Sequence, residues 1–277
     1  MPELPEVESL RRILSRTAVG RTITGARIAR APLRRHVTAD FADAIAGRRI
    51  ERITRRAKYL MIELDGGASL LVHLGMSGSL THRDGRFDSA GLDPRHDHVE
   101  FRLDDGSRLV FNDPRRFGIV KLVPRAKLAA VAELRGLGPE PLSRSFNAGY
   151  LAAKARGRRV AIKNLLMDQR VVAGIGNIYA SEILFRAGVR PARRCGRIKR
   201  AEIERIAGAV PVVLREAIGR RGTTFRSYRD SRGRPGSFAE RLRVYGREGK
   251  PCYTCSTPIK RVVVGQRASY FCPKCQR

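Results

Sequence analysis

Acidic residues are scarce in this chain. Across 277 residues, 26 Asp and Glu stand against 56 Lys and Arg, leaving a formal charge of +30 and a pI near 11.4. A surplus of that size favours a polyanionic partner, with nucleic acid first among the candidates. Long apolar runs are missing too: none approaches the roughly 18 residues a membrane span needs, and no basic amphipathic helix dominates, so no membrane partner is expected. The opening MPELPEVESL has acids where a secretory signal has bases and an apolar stretch, which points to a cytoplasmic protein. Cysteine is nearly absent before residue 252, where Cys195 stands alone with no nearby His or Cys and reads as a free thiol without a role. Four cysteines crowded at the end indicate one local site rather than a disulfide framework. No internal repeat or low-complexity tract occurs. The length predicts two domains, with a small appendix.

Read for periodicity, residues 5–16 form a short helix. Pro5 suits the first helical position, Glu6 and Glu8 suit its positive end, and Val7, Leu10, Ile13 and Leu14 make an apolar stripe. From about 20 to 123 the pattern turns to strands. RTITGARIAR, KYLMIEL and SLLVHLGM around the DGG turn at 65–67, and HVEFRL and SRLVFND around the DDG turn at 104–106, read as successive hairpins of a two-layer β domain. Glycine and proline cluster in GLGPEPLSRSF at 136–146, the best domain boundary. Beyond it, GYLAAKARG, VAIKNLLMDQ, NIYASEILFRAG and AEIERIAGAVPVVLREAIGRRG read as helices, the last bent or interrupted by Pro211. RDSRGRPGS at 229–237 reads as a mobile loop.

The strongest single motif is PCYTC followed by YFCPKC. Cys252 and Cys255 are separated from Cys272 and Cys275 by sixteen residues, the spacing of a tetrahedral sulfur cage for one structural Zn2+, and IKRVVVGQRASYF between them reads as a β-hairpin. Too small to have a core, this module gains folding free energy from the metal. Its Lys260, Arg261 and Arg267 present positive charge. GIGNIYASE at 174–182 places glycines and Asn177 at a helix start, where backbone amides can meet a phosphate, although such a turn is more often plain punctuation. RRAKYL puts Lys58 at the start of a strand amid basic neighbours. LGMSGSL puts Met76 in one glycine turn, and NDPRRFG puts Arg115, Arg116 and Phe117 in another. Each reads alone as a surface charge or a hairpin turn; together the two tips have the chemistry of a wedge for a base stack. His73 and His98, in apolar strand contexts, are assigned to packing.

With PELPEVE, RRAKYL, HLGMSGSL, DPRRFG, GIGNIYASE, VYGREGKPC and QRASYFCPKC in this order along its whole length, the chain closely resembles the bacterial formamidopyrimidine-DNA glycosylase family. The resemblance implies an α+β multidomain protein: an N-terminal catalytic β-sandwich with flanking helices over 1–135, a helix-two-turn-helix DNA-binding domain over 136–238 and a C-terminal zinc finger β-hairpin over 239–277. It implies a monomer acting on double-stranded DNA that contains oxidised bases, associated with the bacterial nucleoid. Oxidised purines, 8-oxoguanine and formamidopyrimidines, would be excised and the abasic site cut by successive β- and δ-elimination. Met1 would be removed, and the amine of Pro2 would attack the sugar carbon bearing the damaged base. Glu3 would assist sugar ring opening, Lys58 the first elimination and Arg267 the second. Met76, Arg115 and Phe117 match gap-filling residues; His96, Arg116, Arg159 and Asn177 match positions that contact DNA, mostly phosphates. The loop at 229–237 resembles the segment that closes over the extruded base. Arg159 stands where the family commonly has lysine, and Ser256 where it often has glycine.

Elementary chemistry agrees with a terminal nucleophile. An α-amino group with a pKa near 8 is roughly 10% free at neutral pH, against less than about 0.1% for lysine. Being secondary, a proline amine yields a cationic iminium that draws electrons during elimination. The nearby Glu3 and Glu6 would stabilise the protonated amine, a tension that local desolvation or a protonated Glu3 would offset. Two rival readings remain. The endonuclease VIII branch, which prefers oxidised pyrimidines, shares the proline and glutamate, but PELPEVE, GMSGS and DPRRFG look more like the purine branch. A non-catalytic zinc-ribbon nucleic-acid binder would explain the charge and the cysteines but not the terminus.

Overall fold

The computed structural model describes residues 2–29, 33, 38, 40–85, 92–224 and 235–277. They group into two compact units, one of Met1–Arg135 with Ile218–Ala239 and one of Gly136–Ala217 with Glu240–Arg277.

In the first unit the apolar stripe of the opening segment produces helix α1 (Leu4–Thr17), which buries Val7, Leu10 and Leu14. Strands β1 (Ile23–Ile28), β2 (Ile50–Arg56), β3 (Tyr59–Leu64), β4 (Ala68–His73), β5 (Ser79–Arg83), β6 (Asp97–Leu103), β7 (Arg108–Asn112) and β8 (Ile119–Pro124) form two antiparallel sheets, ordered β1-β6-β7-β5 and β2-β3-β4-β8. Alternate residues of each strand point to one shared core: Leu60, Ile62 and Leu64 on β3, Leu70 and Val72 on β4, Val99, Phe101 and Leu103 on β6, Leu109 and Phe111 on β7. Each such side chain contributes about 1.5–3 kcal/mol by leaving water, which is why the two-residue period fixes the register. The DGG and DDG turns join β3 to β4 and β6 to β7 as the sequence predicts. The reading as successive hairpins needs correction elsewhere, because β1 pairs with β6, β5 with β7 and β8 with β4. A short helix α2 (Phe41–Ile45) buries Phe41 and Ile45.

The second unit contains α3 (Ala148–Ala155), α4 (Ile162–Met167), α5 (Asn177–Ala187) and most of α6 (Arg200–Gly219), then the hairpin β9 (Lys260–Val264) and β10 (Arg267–Phe271). Helix α6 runs through Pro211 without interruption. The lost backbone bond is offset by burial of Ile203, Ile206, Val210 and Leu214 along one face. Of the loop expected over 229–237, residues 229–234 lie outside the described residues. Its end is tied back to the chain that precedes it: Gly236 N–H donates to Thr224 Oγ1 at 2.9 Å and Ser237 N–H to the Arg220 carbonyl at 3.0 Å.

Candidate active site and metal centre

The first turn of α1 is built around two buried carboxylates. Pro2 is buried, and Glu3 and Glu6 are 2% and 1% exposed. Glu3 caps the helix, forming a capping box with Glu6. One oxygen of Glu6 accepts the Glu3 backbone N–H at 2.7 Å; the other accepts the backbone N–H of Thr223, 217 positions later, also at 2.7 Å. Both oxygens of Glu6 therefore hold backbone, and the carboxylate expected only to complement the helix terminus locks the start of the chain to 222–223. At Gly222, with φ of +78°, a Cβ would lie 2.5 Å from a Glu6 oxygen, so only glycine fits both the backbone and the space.

Lys58 departs from its sequence reading. It sits in the two-residue turn between β2 and β3 and is only 6% exposed, so it is not a surface charge. Its neighbour Ala57 is in the left-handed region at φ of 53°. Arg55 donates to the Ala57 carbonyl at 2.9 Å and to Glu8 at 3.1 Å, which ties the Lys58 turn to α1. Burial pushes the Glu8 carboxyl up, but hydrogen bonds from Arg11 and Arg12 and the charges of Arg11 and Arg55 outweigh it and hold the group at about 2.

The two turns expected at hairpin tips instead connect the sheets, the Met76 turn joining β4 to β5 and the Arg115–Phe117 turn joining β7 to β8, and their tips meet because β4 pairs with β8 and β5 with β7. Met76 is 39% and Phe117 42% exposed, and the Arg115 guanidinium lies 4.8 Å from the Phe117 ring centre. At Gly75, φ +62°, a Cβ would come within 2.6 Å of the Phe117 backbone, so the tips touch main chain to main chain. Between them lies Asp113, fully buried, a residue that sequence reasoning passed over. One carboxylate oxygen accepts Ser77 Oγ–H at 2.6 Å and Arg115 N–H at 3.2 Å; the other accepts Gly118 N–H at 2.8 Å. Its own N–H donates to the His96 carbonyl at 2.9 Å, and its carbonyl accepts from Arg116 N–H at 3.1 Å and lies 2.9 Å from His98 Nε2. His98 is buried, as expected of a packing residue. His73 does more than pack: its Nδ1 accepts Gly75 N–H at 3.0 Å while its ring lies 4.6 Å from that of Tyr59, linking the Met76 tip to the strand after Lys58. His96 ends a turn held by Asn112, which donates to the Asp93 carbonyl and to Asp97, itself in a buried bidentate pair with Arg83.

In the second unit the four cysteines near the end converge. Their Sγ atoms all lie within 4.8 Å of one another, with separations of 3.4 Å for Cys255–Cys272, 3.4 Å for Cys255–Cys275 and 3.9 Å for Cys252–Cys275. Four thiolates about 2.3 Å from a tetrahedral zinc stand about 3.8 Å apart, so this donor set fits that ion and leaves no position for a substrate. Ser256 takes a left-handed conformation in the first CxxC turn, at φ of 60°. Lys163, fully buried on α4, donates to the Ala268 carbonyl at 3.0 Å and Ser269 Oγ at 2.6 Å, and Asn177 at the start of α5 donates to the same Ala268 carbonyl at 3.1 Å. The strand that begins with exposed Arg267 is thereby docked beside Asn177. Glu182 on α5 accepts three successive backbone N–H groups, from Arg243, Val244 and Tyr245, at 2.8, 3.0 and 2.9 Å. Burial pushes its carboxyl up against those three bonds. Arg159 is exposed between α3 and α4, with no hydrogen bond or ion pair among the described residues tying it to this group. Cys195 is buried and free, and burial pushes its thiol up to about 11, which makes it inert.

The structure thus gathers Pro2, Glu3, Lys58, Met76, His96, Arg115, Arg116 and Phe117 in one unit and Asn177, Arg267 and the zinc site in the other. Sequence reasoning missed Glu6 as a tether, Asp113, Lys163 and Glu182. Only the long-range partner reveals the first and the last two, whereas Asp113 had a signal in its place beside a proline in a turn.

Among the described residues no helix is long and apolar enough to cross a membrane. Family models match in three stretches: the formamidopyrimidine-DNA glycosylase N-terminal domain at residues 1–120, the H2TH domain of the same proteins at 137–229, and a zinc finger found in FPG and IleRS at 249–277. A formamidopyrimidine-DNA glycosylase of Cereibacter sphaeroides is 47% identical over 283 residues, covering all of both chains. The crystal structure of the Fpg protein of Thermus thermophilus is 40% identical with a TM-score of 0.87, covering 99% of this chain and 98% of that one. Wild-type Lactococcus lactis Fpg, solved with DNA containing N7-benzyl-Fapy-dG, is 31% identical with a TM-score of 0.89, covering all of both chains. Full-length identity well above 30%, with the three family domains in order and a sulfur cage where the zinc finger falls, leaves one conclusion: the chain belongs to the formamidopyrimidine-DNA glycosylase family.

Proposed function

We propose that the chain excises oxidised purines, 8-oxoguanine and formamidopyrimidines, from double-stranded DNA and then cleaves the abasic site. As a member of this family it is a DNA glycosylase of base excision repair. Once Met1 is removed, the Pro2 nitrogen attacks the sugar carbon bearing the damaged base. The new N–C bond forms as the base leaves with the electrons of its glycosidic bond, and Glu3 delivers the proton that opens the sugar ring. The resulting iminium acidifies the adjacent C–H; loss of that proton expels the first phosphate, with Lys58 assisting, and a second proton loss expels the other, with Arg267 assisting. Met76, Arg115 and Phe117 fill the space left by the flipped nucleotide, which repays part of the few kcal/mol spent on unstacking. His96, Arg116, Arg159 and Asn177 contact DNA. Zinc at Cys252, Cys255, Cys272 and Cys275 supplies no step; bound there it holds the hairpin that carries Arg267. We assign catalysis to 1–135, DNA binding by helices to 136–238 and the finger to 239–277, in a monomeric protein of the bacterial cytoplasm.

The observation that carries this reading is the immobilised terminus: Pro2 and Glu3 are buried, and Glu6 clamps the Glu3 and Thr223 amides. A merely structural N-terminus has no need of such a clamp. Borohydride trapping on duplexes containing 8-oxoguanine opposite cytosine tests it. The native terminus is expected to give a covalent adduct, and Pro2→Gly or an N-terminally extended protein little or none. An undiminished adduct in the extended protein removes Pro2 as the nucleophile. A strong preference for thymine glycol duplexes would move the chain to the endonuclease VIII branch.

A further inference from the structure

We propose that Asp113 is the positioning residue that sets the wedge, coupling Met76, Arg115 and Phe117 to the phosphate-facing turn of His96. The proposal rests on the function assigned above and extends it to a residue with no chemical role of its own. Asp113 is fully buried, yet among the described residues none of its carboxylate bonds goes to a cation: the acceptors are spent on Ser77 Oγ–H of one tip and on the Arg115 and Gly118 amides of the other. A buried carboxylate is costly unless fully hydrogen-bonded, and three donors from two separate loops are what stabilise it here. Its backbone reaches a third element, through Asp113 N–H to the His96 carbonyl, and its carbonyl fixes Arg116, a non-glycine residue held at φ of 56°. The preceding Asn112 clamps the other side of the His96 turn through Asp93 and Asp97. One dipeptide at the end of β7 thus determines where two wedge tips and one DNA-contacting turn stand relative to each other. Because Gly75 and Phe117 touch main chain to main chain, the tips move together or not at all.

The chemistry of this arrangement predicts a separation of functions. An asparagine at 113 keeps the shape but turns an NH2 group toward one of three donors, leaving that amide or hydroxyl unpaired and the tips out of register. Base removal from a duplex needs the wedge, whereas lyase cleavage of an abasic site in single-stranded DNA has no base stack to fill and draws on Pro2, Glu3, Lys58 and Arg267 without it. Asp113→Asn is therefore expected to lower kcat/KM on 8-oxoguanine duplexes about tenfold or more, while single-strand abasic cleavage stays within about twofold of the parent. A 2-aminopurine beside the lesion should show a smaller rise in fluorescence on binding, the direct signature of a poorly seated wedge. Ser77→Ala removes one donor only and should shift the same ratio in the same direction by less, so the test stands even if the Asp113 variant folds poorly. Unchanged duplex activity with an unchanged 2-aminopurine signal overturns the proposal, and so does an equal loss on both substrates. If the parent protein cleaves neither the 8-oxoguanine duplex nor an abasic site, the assigned function itself is wrong, a result visible before any variant is made.

Discussion

At the residue scale, single side chains here act on backbone more than on other side chains. Glu6 holds two amides, Glu182 three, and Asp113 two and a hydroxyl. Glu8 works differently, as an ion-pair hub whose carboxyl lies well below its ordinary range at about 2. A carboxyl depressed in the folded state contributes stability that is fully present above the unfolded value near 4.5 and is lost as pH falls through about 2. Thermal melts of Glu8→Gln and the parent should therefore differ most above pH 5 and converge toward pH 2, with a gap of at most about 3 kcal/mol. A difference that grows on acidification would contradict the assignment. Ser256 allows a gain instead. Its left-handed backbone costs a residue with a Cβ about 1 kcal/mol or more, so Ser256→Gly should slow zinc loss to a chelator without altering activity. The departure from the family's usual glycine was legible in the sequence. The Glu6–Thr223 bond was not, because no local pattern connects positions 217 apart.

At the element scale, legibility followed whether an element's partner was local. Helix α1 was legible because its stripe and acids lie within one stretch, and the β3–β4 and β6–β7 hairpins because DGG and DDG close them. The partners of β1, β5 and β8 were not, since each pairs across intervening chain, and α2 is too short for a period to emerge. The docking of the zinc hairpin is a similar case. Lys163 reads in sequence as one more cation among 56 Lys and Arg, yet its ammonium satisfies the Ala268 carbonyl and Ser269 hydroxyl while wholly buried. Lys163→Met would leave the Ala268 carbonyl to Asn177 alone and the Ser269 hydroxyl without its buried donor, at about 1–3 kcal/mol. The expected outcome is a protein that still binds one zinc per chain, by metal analysis, but binds duplex DNA at least about tenfold more weakly by anisotropy. Loss of the metal in parallel would mean that Lys163 supports the sulfur cage rather than the placement of Arg267.

At the scale of the whole molecule, the surplus of 30 positive charges and the buried terminus answer different demands. Neutralising phosphates with cations releases counterions, a gain that depends on salt and not on the base. If six to ten phosphates are covered, affinity should fall by about 10³–10⁵ between 50 and 200 mM salt. In the proposed mechanism the chemistry at Pro2 follows DNA binding, among buried groups, and Debye screening acts weakly on buried pairs. Salt should therefore separate the two: kcat/KM on a lesion duplex falls steeply across that range, while the single-turnover rate at saturating protein stays nearly constant. Removing zinc, by Cys272→Ser, should shift the first quantity and flatten its salt slope, because the cations of the hairpin no longer meet the backbone. A single-turnover rate that falls as steeply as kcat/KM would mean that the surface charge enters the chemical step itself, and that capture of DNA and excision of the base are not separable in this protein.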